Sequence, residues 1–211
     1  MSIRTLFATI AVATLPITGM AQATIERFFV EMPDSLLLVL PRKARVELMQ
    51  LAQRGAEPVV DNLFGLPTRI AHKTDDFLSI LLTPSSRLEI RKLQTDTSEV
   101  FASIYTLLTP APDSHIVFYT ADYCTDIPQF AMPDLGDFIQ APDSVVYIER
   151  KRLSSILFPL HIGAKWAAES EMLTLEVGTQ NLSKEEQQDA NALLRPVVLV
   201  WQRGSWRKKR L

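Results

Sequence analysis

Between Thr68 and Thr120 the chain repeats short apolar segments at a spacing that leaves room only for hairpins. Thr68 to Lys73, Phe77 to Leu82 and Arg87 to Leu93 are parted by Thr74-Asp75-Asp76 and Thr83-Pro84-Ser85-Ser86, both turn-forming. A parallel neighbour needs a crossover of about a dozen residues, so these connections predict an antiparallel meander. Val100 to Leu108 and His115 to Thr120, joined by Thr109 to Ser114, extend it to about five strands. In Arg87-Leu88-Glu89-Ile90-Arg91 the apolar residues alternate with charges, the pattern of a strand with one wet face.

The flanking segments carry the longer period of helices. Asp34 or Ser35 is a suitable cap for a short helical turn through Leu36 to Leu40. Pro41 then suits the first turn of a helix running to Arg54, which would bury Val46, Leu48, Met49 and Ala52 and stop at Gly55. Tyr123 to Pro142 reads as irregular, with one helical turn at Leu135 to Ile139, and a short helix is expected around Val146 to Leu157. Strands at Leu160 to Ala167 and Met172 to Val177 follow. Ser183-Lys-Glu-Glu186 is a capping box for a helix over Lys184 to Leu194. Val197 to Trp201 gives a last strand, after which Gly204 turns the chain so that Trp206 folds back. Helices and strands come in blocks, which argues for an α+β fold: a predominantly antiparallel β-sheet with two or three helices packed on one face. Pro-Asp-Ser recurs at 33–35, 112–114 and 142–144, and the first and third copies precede apolar residues. That leaves open two related halves, each a helix followed by strands, meeting near 123–142, or turn and cap chemistry repeated without ancestry.

The first 23 residues have a basic start at Arg4, an apolar run from Leu6 to Ile17, and small residues at Ala21 and Ala23. These are the three parts of a cleaved secretory signal peptide, with cleavage expected before Thr24. Leu15-Pro-Ile-Thr-Gly19 has the form of a sortase tag but stands at the wrong end of the chain; Pro16 and Gly19 instead end the signal helix. The apolar run is shorter than the roughly 20 residues a membrane span needs, and no cysteine is near for lipid attachment. The expectation is one exported α+β domain over residues 24–211, periplasmic or associated with the cell surface. Removing residues 1–23 takes away one Arg and no acid, leaving 21 basic and 24 acidic side chains and a net charge of −3 over 188 residues. That balance argues against a general nucleic-acid role. The basic cluster Arg203 to Arg210 reads as a solvated, frayed terminus. Cys124, the single cysteine, makes an internal disulfide impossible and reads as a buried, inert thiol.

Little in the chain points to chemistry. His72, His115 and His161 are scattered, without the close ligand pair that a metal site normally shows. The seven glycines form neither a nucleophile elbow nor a phosphate-cradling loop. Acid pairs remain: Asp75-Asp76 in a hairpin, and Asp122 and Asp126 flanking Cys124, either serving turns or acting on a glycoside; Asp122, Asp126 and Asp134 as calcium ligands would lack the usual D-x-D-x-D-G spacing. Trp201 and Trp206, with Trp166, would be either core or a platform for sugars. No catalytic, cofactor-binding or metal-ligating residue is assigned, and no cofactor is implied.

Three stretches, RFFVEMPDSLLLVLP, TDDFLSILLTPSS and LSKEEQQDANALLRPVVLVWQRGSW, resemble an uncharacterised family of exported Bacteroidales proteins, domain-of-unknown-function family number 3256. The resemblance covers nearly the whole mature chain, the first two stretches being the most specific and Cys124 to Pro159 the least clear. It implies one secreted domain behind a signal peptide, and carries no activity or site residue with it. The expected function is a non-catalytic binding or interaction module of the cell envelope, its partner another envelope protein, a glycan or a peptide. The alternative is a small glycan-directed hydrolase using an Asp pair in the 122–137 loop.

Overall fold

A computed structural model describes residues 23–127, 129–140 and 143–209. Residues 1–22 of the expected signal segment and Pro142 of the third Pro-Asp-Ser lie outside the described residues. Helix α1 (Ile25–Glu31) and helix α2 (Arg42–Gln53) come first, joined through a single 3-10 turn at Asp34–Leu36. Six strands follow: β1 (Val59–Asp61), β2 (Pro67–Lys73), β3 (Phe77–Thr83), β4 (Ser86–Gln94), β5 (Glu99–Leu107) and β6 (Asp113–Tyr119). They pair in chain order, all antiparallel. The meander is therefore as expected, with one extra edge strand, β1, too short to show a period in the sequence.

The second half holds α3 (Leu135–Phe138), α4 (Asp143–Ile156), β7 (Ile162–Trp166), β8 (Met172–Val177), α5 (Lys184–Leu193), β9 (Val197–Gln202) and β10 (Ser205–Lys208). Its strands form a second antiparallel sheet in the order β10-β9-β8-β7. The fold is α+β and predominantly sheet, but the strands divide between two sheets. The described part of the basic cluster is not frayed: Arg207 and Lys208 belong to β10, and Trp206 pairs with Trp201 across the Gly204 turn; Arg210 lies outside the described residues.

Alternation puts two different cores on the two faces of the six-stranded sheet. Leu78, Ile80, Leu88, Ile90 and Phe101 face α1 and α2, where Phe28, Phe29, Leu48 and Met49 are buried against them; the Phe28 ring stacks on Phe101 at 4.0 Å between centroids. The helices also use a charged residue in this core. Arg45, expected on the wet side of α2, is 0% exposed. Its guanidinium donates to the carbonyls of Leu40 (2.7 Å), Val30 and Met32, which include acceptors left open at the end of α1. Asp34, expected to cap its own turn, instead accepts from the Arg42 N–H at 2.8 Å and pairs with Arg45 at 3.0 Å. It thus caps α2, whose own N-cap, Pro41, offers no side-chain acceptor.

The opposite face carries Phe77, Leu93, Val100, Ala102, Ile104, Ile116 and Phe118, and the second sheet packs on it through Ile162, Ala164, Trp166, Leu173, Leu175 and Trp201. The layers are thus helices, six strands, four strands. Helices α3, α4 and α5 make a small cluster of their own around Leu135, Leu153, Leu157 and Ala190. The capping box of α5 forms as expected, Ser183 accepting from Glu186 N–H and Glu186 reaching back to Ser183 N–H.

Candidate functional site: a groove beside strand β7

The second sheet meets the first along β7, and this contact overturns the wet-face reading of Arg87 to Arg91. Glu89 and Arg91 are 2% and 1% exposed. β7 is an edge strand: β8 takes one side of its backbone, and the N–H groups of Ile162, Ala164 and Trp166 point the other way. Side chains of the first sheet meet that open row. Asp113 accepts from Ile162 N–H (3.4 Å), Ser114 Oγ from Ala164 N–H (2.8 Å) and Glu89 from Trp166 N–H (3.1 Å). Arg87 donates to the Ala164 carbonyl (3.4 Å), and Arg91 to those of Ala167 (2.6 Å) and Ala168 (2.7 Å). An unpaired sheet edge is thus closed by side chains rather than by another strand.

Burial shapes the charges in this row. It pushes the Glu89 carboxyl above its usual range, against the pull of Arg87 and the Trp166 N–H. It lowers the Arg91 guanidinium, a loss opposed by Asp76, whose carboxylate lies 3.3 Å away. Arg91 also lies between two rings, 4.5 Å from the Phe77 centroid and 5.5 Å from that of Trp166, so desolvation is partly offset by cation–π attraction.

Along the outer side of β7 runs a groove of about 460 Å³, within the size range of small-ligand sites. Arg87, Thr106, Leu108 and Pro112 form one wall, and β7, β8, Gly178 and Gln180 form the other. Two glycines let the walls meet. A Cβ on Gly163 would stand 2.8 Å from Pro112 Cβ, and one on Gly178 would stand 2.8 Å from Ala111 Cβ. Lys165 and Glu176 project from adjacent strands into the groove; among the described residues neither makes an ion pair with any partner. The buried Nε of Arg87 has no hydrogen-bond partner.

The residues singled out by sequence fall elsewhere and do not converge. Asp122 accepts from the Thr120 hydroxyl, which holds its carboxyl below the usual range. Asp134 caps α3 and pairs with Arg150 at 3.2 Å, and Asp137 completes that capping box. Asp126 donates its N–H to Cys124 Sγ at 3.4 Å; that thiol is half-buried rather than enclosed. Asp76 belongs to Arg91, and Asp75 lines a shallow depression beside Glu26 and Lys73. His72 lies 3.4 Å from Glu169, His161 lies 3.4 Å from Asp113, and His115 is exposed. Among the described residues no group of three or more His, Cys, Asp or Glu side chains is placed to share a metal ion. Trp166 and Trp201 are core, and the half-buried Trp206 packs on them: Trp206 lies 5.1 Å from Trp201 and 5.6 Å from Trp166 between ring centroids, and Trp201 Nε1 donates to the Gln94 carbonyl at 2.6 Å.

One further surface is distinctive. Asn62, 7% exposed, fixes the β1–β2 turn: its side chain accepts from the N–H groups of Phe64 and Leu66 and donates to the Leu82 carbonyl. The turn holds Leu63 and Phe64 outward at 65% and 74% exposure. Among the described residues no helix is long and apolar enough to cross a membrane.

An α+β protein of two antiparallel sheets, closed along one edge by buried charges, is thus the class that the fold defines. The chain belongs to the family described as "Protein of unknown function (DUF3256)", whose profile matches residues 17–206. Its fold is similar to that of a domain of an uncharacterised protein from Porphyromonas gingivalis W83. That likeness has a TM-score of 0.71 at 24% identity and covers 87% of this chain and 98% of that one. No curated protein matches the chain in sequence.

Proposed function

We propose that the protein is an exported, non-catalytic binding module of the cell envelope, with the groove beside β7 as its ligand site. The observation that carries this reading is the pairing of a rigid wall with unpaired charges. β7 is bonded along both edges of its backbone, by β8 and by side chains of β4 and β6, yet Lys165 and Glu176 are left without ion-pair partners among the described residues. A site held stiff before its ligand arrives loses less entropy on binding. Export draws its support from the residues before Thr24. Helix α1 starts directly after the expected cleavage point, with Thr24 as its N-cap. The hydrolase alternative draws no comparable support, because Asp122, Asp134 and Asp137 are each engaged in a turn or a cap.

The test is expression of the full chain in a Bacteroidales host, followed by fractionation and N-terminal sequencing. A mature chain starting at Thr24 in the periplasmic or surface fraction is expected; an uncleaved chain in the cytoplasm would sink the export reading. Ligand binding is followed by amide NMR on the purified protein, where groove residues should move first. Turnover of envelope glycans that disappears in an Asp122→Asn, Asp134→Asn double variant would favour the hydrolase instead.

A further inference from the structure

We infer that the groove recognises the terminal carboxylate of a short peptide, through Arg87 and Lys165, with Glu176 facing the peptide's amino group; this rests on the groove being the ligand site. Arg87 has donors to spare. Its only hydrogen bond among the described residues is a long one, 3.4 Å to the Ala164 carbonyl. Its Nε stands 3.4 Å from Glu89 and is not hydrogen-bonded to it. A guanidinium held by its neighbours with open donors suits a planar carboxylate, and a nearby ammonium adds charge. Lys165 supplies that ammonium from β7, exposed on the groove side.

Glu176 fixes the rest of the ligand. In the ladder Lys165 lies opposite Thr174, and Glu176 opposite Gly163, so the two charges are diagonal neighbours, with Cβ atoms roughly 7 Å apart. A purely anionic ligand would meet repulsion at Glu176. A zwitterion with its charges separated by a few bonds meets attraction at both ends. Leu108, Pro112 and Val177 also line the groove, an apolar surface suited to small aliphatic side chains. An acidic sugar fits less well, because the Trp166 ring in the lining is 1% exposed and offers no open face for a pyranose to stack on.

The experiment titrates the full mature protein with four probes: dialanine, dialanine amide, N-acetyl-dialanine and digalacturonate. Amide NMR signals of Gly163, Lys165, Glu176 and Gly178 report the groove. Dialanine should shift them saturably, and removing the carboxylate as the amide should weaken binding by about tenfold or more, the loss of a charge-assisted contact. Lys165→Gln should weaken dialanine by a similar factor, and Lys165→Arg, which keeps the charge that also acts on the buried Glu89 carboxyl, should restore binding. N-acetyl-dialanine should lose affinity in the wild type and recover it relative to dialanine in Glu176→Gln. Equal binding of dialanine and its amide at the groove would overturn the carboxylate inference and leave the groove reading standing. Preferential binding of digalacturonate would overturn the peptide in favour of an acidic glycan. Saturable shifts confined to other surfaces, or none with any probe, would overturn both the inference and the groove reading.

Discussion

Tyr123 shows how one residue decides the character of the loop that the sequence had nominated for chemistry. It sits at φ 65°, a left-handed conformation that is unfavourable for a bulky residue. Its ring stacks on Phe28 at 4.8 Å, and its hydroxyl donates to the Phe28 carbonyl at 2.8 Å, so the loop after β6 is a clamp on α1. Burial, with Glu31 adding to it, pushes the Tyr123 hydroxyl up to about 12. In the unfolded chain it ionises near 10, so the folded state's advantage is complete below pH 10 and lost as pH rises toward 12. Tyr123→Phe should cost about 1 kcal/mol at pH 7, a typical hydrogen bond. It should also flatten the alkaline loss of stability seen in urea titrations between pH 10 and 12, leaving the smaller slope due to Tyr119, whose hydroxyl is also raised by burial. Glu89 gives the acid-side counterpart. Its folded pKa lies above the ordinary value of 4.5, so the fold binds that proton more tightly than the unfolded chain does. The carboxyl therefore costs stability as pH rises through its folded pKa. Glu89→Gln should match the wild type most closely near pH 4 and gain on it toward pH 7; parallel stability curves would refute this.

At the level of elements, the meander was legible because its period-two pattern and turn residues agree, and the α5 cap because Ser183 and Glu186 stand three apart. The buried charges were not. Arg45, Glu89 and Arg91 occupy positions where a charge normally marks solvent, and only their long-range partners reveal otherwise. Arg91 reaches carbonyls 76 and 77 residues away, a distance no local window spans. One signal was available: a sheet has two faces, the N-terminal helices cover one, and the second half of the chain must rest somewhere. The groove was illegible for the same reason, being made where β7 meets the 108–112 loop. That junction is testable through its glycines. Gly163→Ala and Gly178→Ala should each cost about 1–3 kcal/mol by overpacking against Pro112 and Ala111. The double variant should cost less than the sum, because both press on one loop. By contrast, Phe64→Ser on the outward turn should stay within about 0.5 kcal/mol of wild type.

The whole molecule is two sheets joined by a polar seam inside an apolar sandwich. Phe118, Trp166, Trp201 and Trp206 supply the hydrophobic part of the joint, and Arg91 supplies its orientation. Arg91→Lys keeps the charge but cannot hold two carbonyls and Asp76 with one planar fork. It should lower stability by about 2 kcal/mol or more. Loosening at the seam should appear as faster amide exchange in β7 and a change in tryptophan emission, with the amides of β1 to β3 exchanging as before.

The capped edge of β7 also implies an order of events as the chain is made. A chain that emerges N-terminus first, from a ribosome or across a membrane, presents β4 and β6 before β7, and each strand of the first sheet finds its partner next door in the chain, which favours rapid pairing. The acceptors that β7 requires on Glu89, Asp113 and Ser114 are therefore in place before β7 emerges. A chain permuted to begin near residue 135 would run this schedule backwards. It would hold the unpaired amides of Ile162, Ala164 and Trp166 open to neighbouring chains until the platform that covers them had been synthesised.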